Sequence, residues 1–180
     1  MAPMTNSRIK TAPFEVTWCN DPSQEQAITA LFLRQLSPAY ISHSELQEQR
    51  AVATGEWRSD LPEVVRAQVR HALAQEPSTA TSLVAIARTH DSLAGIAFVS
   101  IDEARLASRA FASLDDLIVD SQFQGTGAGR QLFDWICAEL KLRGIERLFL
   151  ESGIDNEHAH RFFKARGCTT VSVTMQKELS

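Results

Sequence analysis

Apolar and polar positions divide the chain into alternating strand-like and helix-like stretches. Residues 14–19, FEVTWC, alternate with period two and predict a first strand. DPSQEQAITALFLRQLS then predicts a helix, with Asp21 as N-cap, Pro22 at its first position and Ile28, Leu31, Phe32 and Gln35 on one face. Pro38 ends it. From Ser42 to Leu73 the chain is charged and helical in character. A second apolar stripe runs through Leu61, Val65, Val69 and Ala72, with Asp60 as candidate cap and Pro62 in the first turn. EPST breaks the pattern at 76–79. SLVAIARTH and SLAGIAFVSI flank His90-Asp91 and predict a hairpin, and RAFASLDDLIV (109–119) predicts another strand. A glycine-rich turn opens a helix to about Arg143, with Leu132, Phe133, Ile136 and Leu140 on one face and Gly144 as its stop. ERLFLES predicts a strand, NEHAHRFFKAR a helix ended by Gly167, and CTTVSVTMQKEL a last strand. The order β-α-α-β-β-β-α-β-α-β predicts a mixed α/β (α+β) fold, in which helices cover a largely antiparallel sheet.

A length of 180 residues fits one domain, read as 13–180, behind a polar tail over 1–12 that is expected to be flexible. No apolar run approaches the ~20 residues that span a bilayer, so no membrane partner is expected. The N-terminus lacks the apolar stretch of a signal peptide. Cys19, Cys137 and Cys168 lie far apart without a C-x-x-C pair, which argues against a disulfide framework and for a reducing cytoplasm. A net charge of −4 argues against a nucleic-acid partner, since such proteins present a basic face. A homodimer stays open.

The chemistry concentrates in SQFQGTGAGRQLFDW, where Gly125, Gly127 and Gly129 stand at the mouth of a helix. Glycine there weakens a helix by roughly 1 kcal/mol relative to alanine, so the backbone must serve a close approach. A P-loop needs G-x-x-x-x-G-K-[ST], and the residue following the last glycine is Arg130. A dinucleotide fingerprint needs G-x-G-x-x-G directly after a strand. Here the third glycine falls one place early, and SQFQ separates strand from turn. The third reading is Q/R-x-x-G-x-G/A, met by Gln124, Gly125, Thr126, Gly127, Ala128 and Gly129. Amides at a helix N-terminus point outward and the helix dipole favours an anion, with Arg130 and Thr126 as further donors. A tight turn packing on the sheet would use the same glycines, and these residues alone leave both readings open.

A second motif decides between them. NEHAHRFFKARGC looks like N-x-x-A-x-x-F-Y-x-x-x-G-F, with Asn156, Ala159, Phe162 and Gly167 in register. With LDDLIV, QGTGAG and LFLES before it, the stretch from about Ser82 to Glu178 resembles the GNAT superfamily of acetyl-CoA-dependent N-acetyltransferases. The resemblance implies a sheet whose central strands splay apart to admit acetyl-CoA. It implies cofactor contacts at Leu117, Ile118 and Val119, the Val119 amide holding the thioester carbonyl. It further implies pyrophosphate at 124–130, the pantetheine arm beside Asn156, and Phe163 beside the cofactor where the family has an acidic tyrosine. Phenylalanine donates no proton, which sets this chain apart.

Acetylating an amine requires a base. An alkyl ammonium of pKa near 10.4 is neutralised at pH 7 at a cost of roughly 4.6 kcal/mol. LDDLIV resembles the L-E-D-hydrophobic-hydrophobic-V of polyamine and diamine acetyltransferases, which makes Asp115 and Asp116 the candidate catalytic acids. Strand alternation predicts that they face opposite ways, Asp115 sharing the face of Leu117 and Val119 and facing the amine. Tyr40, Glu45, Glu48, Glu56, Trp57 and Glu63 lie in the early helices, where one or two acids could meet a second positive charge. His158 and His160 diverge on their helix, so no metal site is expected. The expected activity is N-acetyl transfer from acetyl-CoA to a primary amine of a small molecule. A protein or peptide acetyltransferase and a non-catalytic acyl-CoA-binding module are the alternatives.

Overall fold

The computed structural model describes residues 14–48, 50–102 and 109–179; the expected tail over 1–12 lies outside them. Strand β1 (Glu15–Trp18) is followed by a 3-10 turn, which Asp21 caps by accepting the N–H of Ser23, and by helix α1 (Glu25–Gln35). The region read as continuously helical from Ser42 to Leu73 is divided. It holds a short α2 (His43–Gln47), a small hairpin of β2 (Ala51–Ala53) and β3 (Glu56–Trp57), and α3 (Leu61–Leu73). Gly55, at φ +89°, turns that hairpin, a conformation that side chains resist. Asp60 stands at the α3 cap, but its carboxylate takes the guanidinium of Arg58 rather than a helix amide.

The hairpin β4 (Ser82–Arg88) and β5 (Leu93–Ile101) forms as expected, followed by β6 (Phe111–Val119), α4 (Ala128–Leu142), β7 (Arg147–Leu150) and α5 (Glu157–Lys164). The main sheet has the order β1-β4-β5-β6-β7, antiparallel except for the β6–β7 pair. The apolar periodicities put helices on both faces. Leu132, Phe133, Ile136 and Leu140 of α4 pack with Leu83, Ala97, Val99 and Leu114 on one side. Ile28, Leu31 and Phe32 of α1 and Val65 and Val69 of α3 pack with Ile96, Phe98 and Ile118 on the other.

The last expected strand does not form. Residues 169–179 carry no strand pairing and are exposed throughout. VSVTM has the alternation of a strand, but among the described residues no strand pairs with it.

Candidate active site

Parallel pairing of β6 with β7 ends at Leu114 and Leu150, while β6 runs on to Val119. The strands part there, as the resemblance implies, and a cleft of about 460 Å³ opens between them. Leu117, Ile118 and Val119 line it, and so do Gln124, Gly125, Gly127, Gly129 and Arg130 at one end. The Asp120 N–H bonds to the Ala94 carbonyl across the antiparallel ladder. Hydrogen-bonded and non-bonded pairs alternate in such a ladder, so the Val119 N–H is turned away from β5, toward the parted edge.

The three glycines serve two different ends. Gly125 and Gly127 have φ of +76° and +97°, which shape the turn into α4. Gly129 has a packing reason: a Cβ there would stand 3.1 Å from Val119 Cγ2 and 3.5 Å from the Phe162 ring. Helix α4 has no side-chain cap, and its first backbone bond runs from the Gln131 N–H to the Gly127 carbonyl. The N–H groups of Ala128, Gly129 and Arg130 thus lack helical partners. Open amides on a backbone without side chains fit a pyrophosphate. Two of the predicted contacts do not bring side chains into the cleft: the Thr126 hydroxyl donates to the Phe123 carbonyl at 2.6 Å, and Ala128 is buried in the core. The Gln124 amide donates to the Val119 carbonyl at 3.4 Å, and Arg130 pairs with Asp134.

Opposite this turn, the Asn156 side-chain oxygen caps α5 by accepting the Ala159 N–H at 3.2 Å. Phe163 lines the cleft edge-on to Phe133 and Phe162, at 5.6 and 5.1 Å between ring centres. Arg166 covers the other ring, its guanidinium 3.8 Å from the Phe162 centroid.

The far end of the cleft is acidic. Between Phe98 and Val99 of β5 the register slips, so that Leu114, Asp115 and Asp116 stand opposite two residues. This bulge overturns the expectation that the two acids face opposite ways, because an extra residue breaks the alternation on which it rested. Asp116 enters the α1–α3 side, where Tyr40 donates to it at 2.8 Å and Arg50 at 3.1 Å. Asp115 takes the hydroxyl of Ser100. On the regularly alternating β5, Ser100 shares the face of Phe98, so both carboxylates turn to one side and Asp115 leaves the face of Leu117 and Val119.

The two acids differ in their ties. Asp116 is fully buried and committed to Arg50 and Tyr40; Arg50 also lies over the Phe32 ring and 3.8 Å from Glu45. Glu45 in turn accepts from the Ser42 N–H and hydroxyl. Burial raises the Asp116 carboxyl above the ordinary carboxylate range, with Arg50 and Tyr40 opposing. Asp115, half-buried, is raised to about 7, mainly by burial and further by Asp116, while the Ser100 hydrogen bond pulls it down. That value suits a group that must accept a proton near neutrality. Behind Tyr40 and Ser152, which line one wall of the cleft, Gly153 packs against the 38–41 segment. A Cβ there would stand 2.2 Å from the Ala39 carbonyl oxygen and 2.6 Å from that of Ile41.

The model of the acetyltransferase (GNAT) family matches residues 43–168, more than half of the chain. The chain belongs to this family. It is therefore an acetyltransferase by family and fold. No curated protein matches the sequence. Solved structures share its fold. A tetramutant of the BH1408 protein from Bacillus halodurans superposes with a TM-score of 0.69 at 19% identity, over 92% of this chain and 99% of that one. Aminoglycoside N-acetyltransferase AAC(6')-Iy, in complex with CoA, has a TM-score of 0.66 at 12% identity, over 93% and 95%. The aminoglycoside acetyltransferase meta-AAC0020 from an uncultured soil sample, in complex with trehalose, gives 0.61 at 15%, over 93% and 97%.

Within this GNAT chain, sequence reasoning named the acids of the strand but missed the residues that set them apart. Arg50 sits in the charged run SELQEQR, where nothing distinguishes it from a solvated cation. Ser100 lies next to the end of an apolar strand and Gly153 three residues beyond another, each without a motif. Tyr40 and Glu45 had been singled out as a group, and both line the acidic end. Glu56 and Glu63 do not.

Proposed function

We propose that the protein transfers an acetyl group from acetyl-CoA to a primary amine of a small, cationic molecule. The observation that carries this reading is a half-buried, bulged-out carboxylate, Asp115, sharing one cleft with the open amides of α4. The acceptor end holds Glu45, Asp115 and Asp116, with Arg50 paired to Asp116 behind them, so an ammonium is favoured there. The protein named as an aminoglycoside acetyltransferase from soil has also been solved with sisomicin; like this chain it has the fold, at 16% identity.

Acetyl-CoA supplies an activated thioester. The residues of this chain do the rest. The amides of Ala128, Gly129 and Arg130 hold the pyrophosphate, and the Val119 N–H donates to the carbonyl oxygen on which charge gathers. Asp115 removes the ammonium proton and passes it to water. The N–C bond forms as the C–S bond breaks, and water reprotonates the thiolate because Phe163 has no proton to give. That is the easier transfer: a thiol of pKa near 8.5 lies about 1.5 units above pH 7.

The test is thiol release from acetyl-CoA over a panel of diamines, polyamines, aminoglycosides and peptides, preceded by thermal shift with acetyl-CoA. Stabilisation by acetyl-CoA and turnover on a small amine are expected. Stabilisation without turnover on any amine would leave an acyl-CoA-binding module, and turnover on peptides alone would make it a protein acetyltransferase.

A further inference from the structure

Arg166, half-buried just past the end of α5, lines the cleft together with Phe162 and Phe163. Its guanidinium stacks on the Phe162 ring, Nη1 donates to the Phe162 carbonyl at 3.0 Å, and Nε is buried with no hydrogen-bond partner. Among the described residues it pairs with no carboxylate, whereas Arg130 pairs with Asp134, Arg161 with Glu157 and Arg50 with Asp116. A cation held on an aromatic face and left one buried donor short is arranged for an anion that this chain does not supply. Phe162 gives the place of that anion. A Cβ on Gly129 would stand 3.1 Å from Val119 Cγ2 and 3.5 Å from the Phe162 ring, so Phe162 and Val119 meet beside Gly129. The guanidinium, 3.8 Å from the centre of that ring, is one ring away from the strand end whose N–H is assigned to the thioester carbonyl. Glu45, Asp115, Asp116 and Glu151 line the same cleft, and their charge opposes a second anion forming near them.

We infer that Arg166 is a catalytic residue that receives the departing sulfur of the coenzyme and stabilises it as a thiolate. As the N–C bond forms and the C–S bond breaks, the electron pair of the C–S bond stays on sulfur. Arg166 pairs with the thiolate and keeps its own protons, because a guanidinium does not ionise in proteins. Water then supplies the proton, and the coenzyme leaves as the thiol. Arg166 thus offers by charge what a tyrosine at position 163 would offer by proton donation. Such a pairing is stronger in a cleft that excludes water than in bulk solvent. A neighbouring sulfur already feels it: burial raises the Cys168 thiol, and Arg166 opposes that rise. The inference rests on the acetyl-CoA reading above and is independent of which amine accepts.

The thiol of bound CoA reports on Arg166 without any acceptor. NMR of CoA isotopically labelled at the carbon that bears sulfur, bound to the full chain, follows the ionisation of that thiol through a pH titration. In the natural protein its pKa is expected at least about one unit below that of free CoA, a preference for the thiolate of about tenfold or more. Arg166→Gln, folded by circular dichroism, should still bind CoA and return the thiol to its free value or above. Arg166→Lys, which keeps the charge, should keep most of the shift. Turnover at saturating acetyl-CoA should fall at least about tenfold in Arg166→Gln, and adding Phe163→Tyr should restore part of it by supplying a proton instead. A natural protein that acetylates an amine but leaves the bound thiol at its free pKa overturns the inference alone. One that binds no CoA overturns it together with the acetyl-CoA reading. A lowered pKa that persists in Arg166→Gln assigns the thiolate to another group, and CoA binding lost in that folded variant assigns Arg166 to phosphate. Either result overturns the inference.

Discussion

At the scale of single residues, the two neighbouring aspartates acquire different work from one inserted position. Without the bulge, strict alternation would put Asp115 and Asp116 on opposite faces of the sheet. With it, Asp115 keeps only the Ser100 hydroxyl, whereas Asp116 is locked by Arg50 and Tyr40. Asp115→Asn is therefore expected to cut turnover by roughly 10²-fold or more, the scale of a lost general base. The natural enzyme should gain rate as pH rises through about 7, where Asp115 loses its proton, and the variant should lack that limb. Rate profiles from pH 5 to 9 decide it: parallel profiles for the two enzymes would remove Asp115 from the proton transfer. Gly153 makes a second residue-scale case. Its missing Cβ would meet two backbone oxygens, which cannot rotate aside. Gly153→Ala should displace the 38–40 turn and raise KM for the amine at least about tenfold, a shift of about 1.4 kcal/mol, with KM for acetyl-CoA little changed. Equal effects on both constants would show that the wall does not shape the acceptor end.

At the scale of elements, legibility followed locality. The helices α1, α3 and α4 and the β4–β5 hairpin were legible because their apolar periods, prolines and stopping glycines are local signals. The glycine turn and the FF-containing helix were legible as motifs. What could not be read was set by distant partners. The strands of the β2–β3 hairpin are three and two residues long, too short for a period. The bulge depends on the register of β5, and residues 168–179 look like a strand whether or not an edge receives them. Arg50 belongs to this second class. From the short α2–β2 connection it reaches Asp116 on β6 and Phe32 on α1, joining three elements across the acceptor end. Arg50→Ala would leave Asp116 charged and unpaired in the interior, an expected loss of about 3–5 kcal/mol in denaturant unfolding. Adding Asp116→Asn should return part of that loss, since an amide carries no charge to strand. If the double variant is as unstable as the single one, the contribution of Arg50 is packing over Phe32.

At the scale of the whole molecule, the site and the fold pull against each other through protons. The folded state holds the Asp115 proton up to about pH 7, whereas the unfolded chain releases it near 3.8. Between those values the folded state binds more protons than the unfolded one, so stability falls as pH rises and levels off above about 7. Asp116, raised in the same direction, adds to the fall. The lowered carboxyls of Asp21, Glu25 and Asp60 act with opposite sign, and only as pH drops through the ordinary acid range. The molecule should therefore be most stable in mild acid and most active above neutrality, where its base is ionised. A shift of about 3 units corresponds to at most about 4 kcal/mol. Asp115→Asn has no proton to lose, so its stability advantage over the natural chain should widen from pH 5 to 7 and stay constant at 8. Denaturant unfolding of both proteins at those pH values measures the difference directly. A constant difference across the range would mean that Asp115 ionises as freely in the fold as outside it, and burial would no longer account for a base at neutral pH.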